Sequence, residues 1–174
     1  MKYYDLVANS CEFSNDIVKK LGFERILRAG IDIKFMDVDT EKGAPCGNCI
    51  AYGTNKKRLA AFASSGARGI AIKDMRGDGK LLNIMGENDC ILCVPTNIFT
   101  SSTGIERSKL LYRAEILLNV ARKKHIKVSF ISAAESKLHM CSYIQLIEIA
   151  KLVGAEERFA RNSISAVNGE LLVK

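Results

Sequence analysis

Short apolar runs alternate with helical spacing along most of this chain. "YYDLVA" (3–8) reads as a strand, and "IDIKFMDV" (31–38) alternates apolar and polar positions as a half-buried strand does. "NCIAYG" (48–53), "RGIAIKD" (68–74), "CILCV" (90–94) and "KVSFIS" (127–132) are further strand-like runs. Helical patterns lie between them. Ser14 is placed to cap a helix running to about Leu21, with Gly22 to close it, and "KKRLAAFASS" (56–65) reads as another helix. The longest helix is expected over 104–124, where Leu110, Ala114, Leu117, Leu118 and Ala121 recur at three- and four-residue spacing as one core-facing stripe. A helix over 142–153 is expected to end at Gly154, and one more to follow to about Ser165. Strands alternating with helices imply βαβ units and a parallel sheet, hence an α/β fold in one domain over 1–174. Periodicity leaves open whether the sheet closes into a barrel. No repeat and no linker interrupts it.

The long helix carries its own start and stop signals. Thr103 followed by Glu106 spells a capping box, in which the Thr hydroxyl takes the Glu106 N–H and the carboxylate returns to the Thr103 N–H. Arg122, Lys123 and Lys124 fall in the last turn, where cations suit the negative end of the helix dipole. Arg107 lies near the angle of the apolar stripe, one turn before it begins. In a βα unit that position borders the carboxyl end of the sheet, where ligands bind. An arginine aimed there suits a phosphate, or an ion pair with an Asp at a strand end. Lys56, Lys57 and Arg58 occupy what reads as a helix's first turn, where the dipole disfavours cations and where phosphate is attracted.

Charge sharpens this picture. The 174 residues carry a formal net charge of +7. Residues 105–127 hold seven cations against two anions, and residues 55–80 again seven against two, so each segment nets +5. Charge gathered in two segments favours a polyanionic partner. No run approaches the roughly 20 apolar residues of a membrane span, and "MKYYDLVANS" lacks the apolar core of a signal peptide. A cytoplasmic chain without membrane contact is expected.

The catalytic inventory is thin. "CGNC" (46–49) and "CILC" (90–93) give a CxxC…CxxC pattern that resembles a zinc site on paper. Yet "CILCV" is strand-like, and residues three apart on a strand point to opposite faces. Cys46, Cys49, Cys90 and Cys93 are therefore read as buried or incidental thiols, with a four-cysteine metal module as an alternative. His125 and His139 are the two histidines, and neither sits in a nucleophile-elbow setting. No GxGxxG or GxxxxGK[ST] loop is present, so no cofactor, no metal and no catalytic residue is expected.

Residues 112–165, "YRAEILLNVARKKHIKVSFISAAESKLHMCSYIQLIEIAKLVGAEERFARNSIS", resemble the C-terminal half of protein component 3 of archaeal ribonuclease P. The shared order is an Arg-bearing helix ending in a basic cluster (Arg107–Lys124), a strand (Val128–Ile131), a small Ser/Ala motif (Ser132–Ser136) and a helix ending in Gly (Tyr143–Gly154). "YYDLVANS" (3–10) is similar to the family's opening strand. The likeness is clear over 105–165, faint at 1–10 and poor between about 30 and 100. It implies a TIM-barrel-like (β/α) fold, here shortened or irregular. It also implies a non-catalytic RNA-binding subunit of the endoribonuclease that matures tRNA 5′ ends. The partners implied are the ribonuclease P RNA, pre-tRNA indirectly, and a small ferredoxin-like protein subunit.

The expected RNA contacts are Lys56, Lys57, Arg58, Arg68, Arg76, Arg107, Lys109, Arg113, Arg122, Lys123 and Lys124. The family's arginine-bearing stretch after the Ser/Ala motif reads "LHMCSYIQL" (138–146) here, without arginine. The opening strand is also similar to that of the PHP phosphoesterases, whose metal-binding HxH pair falls on Val7 and Asn9 and is absent. The competing expectation is a small (β/α) enzyme that grips a phosphorylated metabolite with Arg107 and Lys57.

Overall fold

The computed structural model describes residues 1–7, 14–28, 31–45, 47–136 and 139–171. Among the described residues, seven parallel strands form the wall of the fold. Strand β1 (Tyr4–Val7) pairs with β2 (Arg25–Arg28), Leu6 opposite Leu27. Strands β3 (Lys34–Asp37), β4 (Cys49–Gly53), β5 (Gly69–Ile72), β6 (Ile91–Pro95) and β7 (Val128–Ile131) pair in chain order as a second sheet. The two sheets meet where β7 reaches β1. There Ala133 N–H donates to Leu6 O at 2.8 Å, and Asn168 Nδ2 bridges Tyr4 O (2.8 Å) and Phe130 O (3.0 Å).

Period-2 alternation sorts the side chains into two apolar layers. Leu6, Leu27, Ile50, Ala71, Cys93 and Ile131 gather inside the wall, closed at the C-terminal end of the chain by Val167 and Leu171. Val7, Ile26, Ala51, Ile70, Leu92 and Phe130 face outward and meet the helices. One layer enclosed by every strand and a second beneath the helices is the arrangement of a (β/α) barrel with a filled interior.

The helices are α1 (Asn15–Lys20), α2 (Lys56–Ser64), α3 (Gly79–Glu87), α4 (Asn97–Ser101), α5 (Gly104–Lys123), α6 (Tyr143–Leu152), α7 (Glu157–Asn162) and α8 (Asn168–Glu170), the last preceded by a π-helical turn over Ser163–Val167. The buried residues of α5 are Leu110, Ala114, Leu117, Leu118 and Ala121, the stripe read from its spacing. Four of the described elements escape the sequence pattern, α8 being three residues long and beyond the last expected helix. In β2 two arginines flank two apolar residues, too few to show alternation. Helix α3 starts and nearly ends on glycine and owes its start to Asp78, whose carboxylate accepts Leu81 N–H at 2.7 Å. Helix α4 is five residues long.

The capping box expected at Thr103 does not form, because the Thr103 side chain makes no capping bond. The fold places a capping box at α6 instead. Gln145 N–H donates to Ser142 Oγ at 3.3 Å, and Ser142 N–H donates to Gln145 Oε1 at 2.7 Å. Helix α1 ends as expected at Gly22, whose φ of +81° suits glycine and whose missing Cβ leaves room for the Tyr143 ring. Ser142→Ala should therefore cost about 1 kcal/mol in denaturant unfolding, whereas Thr103→Ala should change stability by only a few tenths.

Candidate nucleic-acid interface and carboxyl-end cleft

In a parallel barrel the residue that ends each strand is pushed to one common rim. Here that rim is polar and lines a cleft of about 610 Å³. Its wall includes Tyr52 from β4, Lys73 and Asp74 after β5, Asn97 after β6 and Glu135 after β7, with Lys109 and Arg113 closing it from α5. Lys73 Nζ sits 4.8 Å from the Tyr52 ring centre and 3.7 Å from Asp37 Oδ2. Burial pushes the Tyr52 hydroxyl up to about 12, helped by the Asp37, Glu135 and Asp39 charges. Burial alone would raise the Asp39 carboxyl, but N–H groups of Thr54 (2.8 Å) and Asn55 (3.1 Å) hold it below the usual range. Asp74 is occupied by Lys56 at 2.6 Å.

Beneath the rim lies a buried polar floor. Asp5 Oδ1 accepts Ser132 N–H at 2.6 Å and Leu6 N–H at 2.8 Å. Asp5 Oδ2, Thr96 Oγ1 and Asn97 Oδ1 are buried and meet no hydrogen-bond partner. Burial, and behind it the Asp5 charge, push the Cys141 thiol up, with Thr96 opposing. Cys141 lines a second cavity of about 350 Å³, which shares Asn97, Ser101 and Glu135 with the larger cleft.

The structure divides the expected RNA contacts between the two ends of the barrel. Lys56, Lys57, Arg58, Arg76, Arg107, Lys109 and Arg113 lie toward the carboxyl ends of the strands, on α2, the loop after β5 and the first half of α5. Arg68, Arg122, Lys123 and Lys124 lie at the opposite end. There Arg68 donates to Leu171 O (2.8 Å), Arg122 pairs with Glu156 (3.4 Å) across the Phe159 ring, and Lys124 donates to Asn83.

Three of the carboxyl-end cations are bonded within the fold. Lys56 holds Asp74, Arg58 donates to Val38 O and Gly43 O, and Arg107 Nε donates to Ser102 O at 2.7 Å. The inward aim expected of Arg107 is not found. Its side chain is exposed and folds back on the turn that precedes its helix. Arg113, just over one turn and a half farther along α5, faces the cleft instead.

The grooves at this end share residues and so join into one band. Lys56, Lys57 and Lys80 surround Asp78 between α2 and α3. Asp78, Arg76 and Arg113 line an apolar groove of about 520 Å³ between the 75–79 loop and α5. Arg113 and Lys109 then line the cleft. Cations of the 55–80 segment, Arg68 apart, thus meet those of the first half of α5, while Arg122, Lys123 and Lys124 stay at the far end.

The cysteines do not converge. Cys93 points into the barrel and Cys90 into the outer layer, as strand alternation requires. Burial pushes both thiols up, Cys90 to about 11 and Cys93 to about 12, which disfavours the thiolate a metal needs. Cys49 is buried in the outer layer, and Cys46 lies outside the described residues. Among the described residues no three His, Cys, Asp or Glu side chains group as a metal site would require, and no helix is long and apolar enough to cross a membrane. Val7 is buried in the outer layer, and Asn9 lies outside the described residues.

Sequence reasoning overlooked Asp37, Tyr52, Lys73, Asn97 and Glu135. The available signal was positional: each stands at or just after the end of an expected strand, where a barrel collects its functional groups.

No protein-family profile and no curated protein matches the chain. Among solved structures it is similar to ochratoxinase from A. niger, with 13% identity and a TM-score of 0.52 over 71% of this chain and 30% of that one. It is also similar to an uncharacterized protein, with 12% identity and a TM-score of 0.55 over 98% of this chain and 55% of that one. The chain therefore spans under a third of the first protein and little more than half of the second. At such identities the likeness is one of fold. The fold is a TIM-barrel-like α/β architecture.

The floor generates a pH prediction. Burial pushes the Asp5 carboxyl up to about 6 from 3.8, against the opposing Ser132 and Leu6 bonds. The folded chain thus holds an extra proton between about pH 4 and 6. This contribution to stability is complete below about pH 4 and is lost as pH rises through about 6. Urea unfolding should lose about 3 kcal/mol between pH 3 and 7 from this group, and Asp5→Asn should flatten that fall.

Proposed function

We propose that the chain is a protein subunit of ribonuclease P, binding and supporting the catalytic RNA in tRNA 5′-end maturation beside a small ferredoxin-like subunit, and meeting pre-tRNA indirectly. The observation that carries this reading is the cationic band from Lys57 and Lys80 through Arg76 and Arg113 to Lys109. Among the described residues these five side chains form no ion pair, so their charge is available to phosphates. The 105–165 resemblance supplies the identity of the RNA, and the band supplies a surface for it. Cations at the far end, on Arg122 and Lys124, are already paired or bonded within the fold and are assigned a structural role.

A second reading is a small enzyme acting on a phosphorylated metabolite, favoured by the cleft itself, where Lys73, Tyr52 and Asp37 stand together. Turnover of such a metabolite by the chain free of RNA would select it.

The subunit reading predicts that log K for RNA falls linearly with log salt, because bound cations displace counterions. In filter binding, Arg76→Ala with Arg113→Ala should lower the slope by about 1.5 units. Lys123→Ala with Lys124→Ala should leave it nearly unchanged. RNA binding that is indifferent to salt would sink the reading.

A further inference from the structure

We propose that the outer face of α5, together with the groove beside the 75–79 loop, docks an amphipathic helix of a partner protein whose apolar stripe is bordered by carboxylates. The proposal concerns apolar surface that the RNA reading does not use, so each stands or falls without the other.

The apolar surplus is the first argument. Ile105, Tyr112 and Ile116 on α5 are exposed at 75%, 65% and 47%. At 3.6 residues per turn they fall within about 40° of one another, so one face of the helix carries all three. Exposed apolar residues gathered on one face mark an interaction site. Beside Ile116 the surface is concave. Ile116 and the half-buried Val120 form the open wall of a groove of about 520 Å³, with Met75, Leu82 and Leu117 packed beneath.

The groove is already built. A Cβ at Gly77 would stand 2.4 Å from Leu117 Cδ1, so glycine lets the loop press directly on the helix. Arg76 N–H donates to Asp74 Oδ1 at 3.0 Å, and Lys56 holds the same oxygen. A site ordered before binding loses less freedom on docking.

Charge names the occupant. Arg76 and Arg113 line the groove, and Lys109 stands one turn before Arg113 on α5. Among the described residues none of these three side chains forms an ion pair. Of the two acids on α5, Glu115 sits beside Gly154 and Glu106 lines the cleft, and neither lines the groove. Asp78 does line it, but its carboxylate caps α3 and lies among Lys56, Lys57 and Lys80. A second copy of this chain would bring cations against cations, which repel. Phosphates would match the cations and leave Ile116 and Val120 uncovered. An acidic amphipathic segment meets both. The lining comes from two helices and a loop and offers no strand edge, so an extended peptide would find no backbone partner there, whereas a helix pairs its own. From Arg113 to Val120 the groove follows α5 for about 10 Å, room for two anchors one turn apart.

The test uses three helical peptides of about 16 residues and the full chain, read by fluorescence anisotropy. The first sets leucines at helical spacing with glutamates beside them. The second has lysine for each glutamate, and the third keeps the glutamates and shuffles the leucines. The first should bind about tenfold more tightly than either of the others. Ile116→Gln with Val120→Gln should weaken it about tenfold and leave RNA binding unchanged. Ile116→Gln alone, at an exposed position, should show the larger part of that loss. Arg76→Ala with Arg113→Ala should weaken the first peptide and flatten its salt dependence. Ile144→Gln, the same change on an exposed residue of α6, should do nothing. The backbone resonances of Gly77, Ile116 and Val120 should shift in NMR when the first peptide is added.

Equal binding of the three peptides, full affinity in the double-glutamine variant, or shifts confined to other residues would each overturn the inference. So would a dimer in sedimentation that Ile116→Gln dissolves, which gives the face to a second copy. RNA binding lost in the double-glutamine variant would overturn it too, by giving the face to RNA. Peptide binding without RNA binding upholds the docking face and defeats the subunit reading, and RNA binding without peptide binding does the reverse.

Discussion

The barrel depends on a seam that no strand ladder closes. Strands of four or five residues carry few backbone bonds, and among the described residues β1 and β7 are laddered only to β2 and β6. What joins them is a carboxylate. Asp5 Oδ1 takes the N–H groups of Leu6 and Ser132, while Ala133 N–H reaches Leu6 O. At the other end of the same seam the Asn168 amide spans Tyr4 and Phe130. Side chains thus satisfy backbone groups that a longer strand pair would satisfy by itself. The burial that makes Asp5 costly to ionise is the burial that makes its bonds strong.

From that seam follows the position of the polar floor. Closing β1 on β7 brings Asp5 and Ser132 close to Thr96 and Cys141, and all of them come to lie under the rim. The same closure leaves β5 and β6 as neighbours in the opposite wall. The 75–79 loop that follows β5 is then pressed against α5, which follows β6. Cations from the segments 55–80 and 105–127 come onto one surface through the order of strands.

Most of the architecture was legible in the chain. Six of the seven strands and the apolar stripe of α5 came from periodicity alone, because each buries a long enough apolar face to leave a pattern. Strand β2 did not, since Arg25 and Arg28 bracket a two-residue core. Thr103 and Ser142 show the limit of local motifs. Both precede an acid or amide at the third position, yet only Ser142 turns its hydroxyl to the helix. The cleft was legible in kind and not in membership. Helix phase pointed to Arg107, whereas its Nε bond to Ser102 O folds that side chain back on the turn before the helix and Arg113 lines the cleft instead. Asn97 carries no charge and no motif, and only the unmet buried oxygen distinguishes it.

Helix α5 runs from the cleft to the far end of the barrel, with a basic cluster at its last turn and Arg107 near its first. At 1.5 Å per residue the helix carries the chain about 26 Å from Arg107 to Lys124. Arg113 in its first half lines the open cleft, while Arg122 and Lys124 at its last turn are held by Glu156 and Asn83. One helix rich in cations from end to end thus gives the barrel two unlike ends, one where its charge is open to solvent and one where it fastens neighbouring elements together.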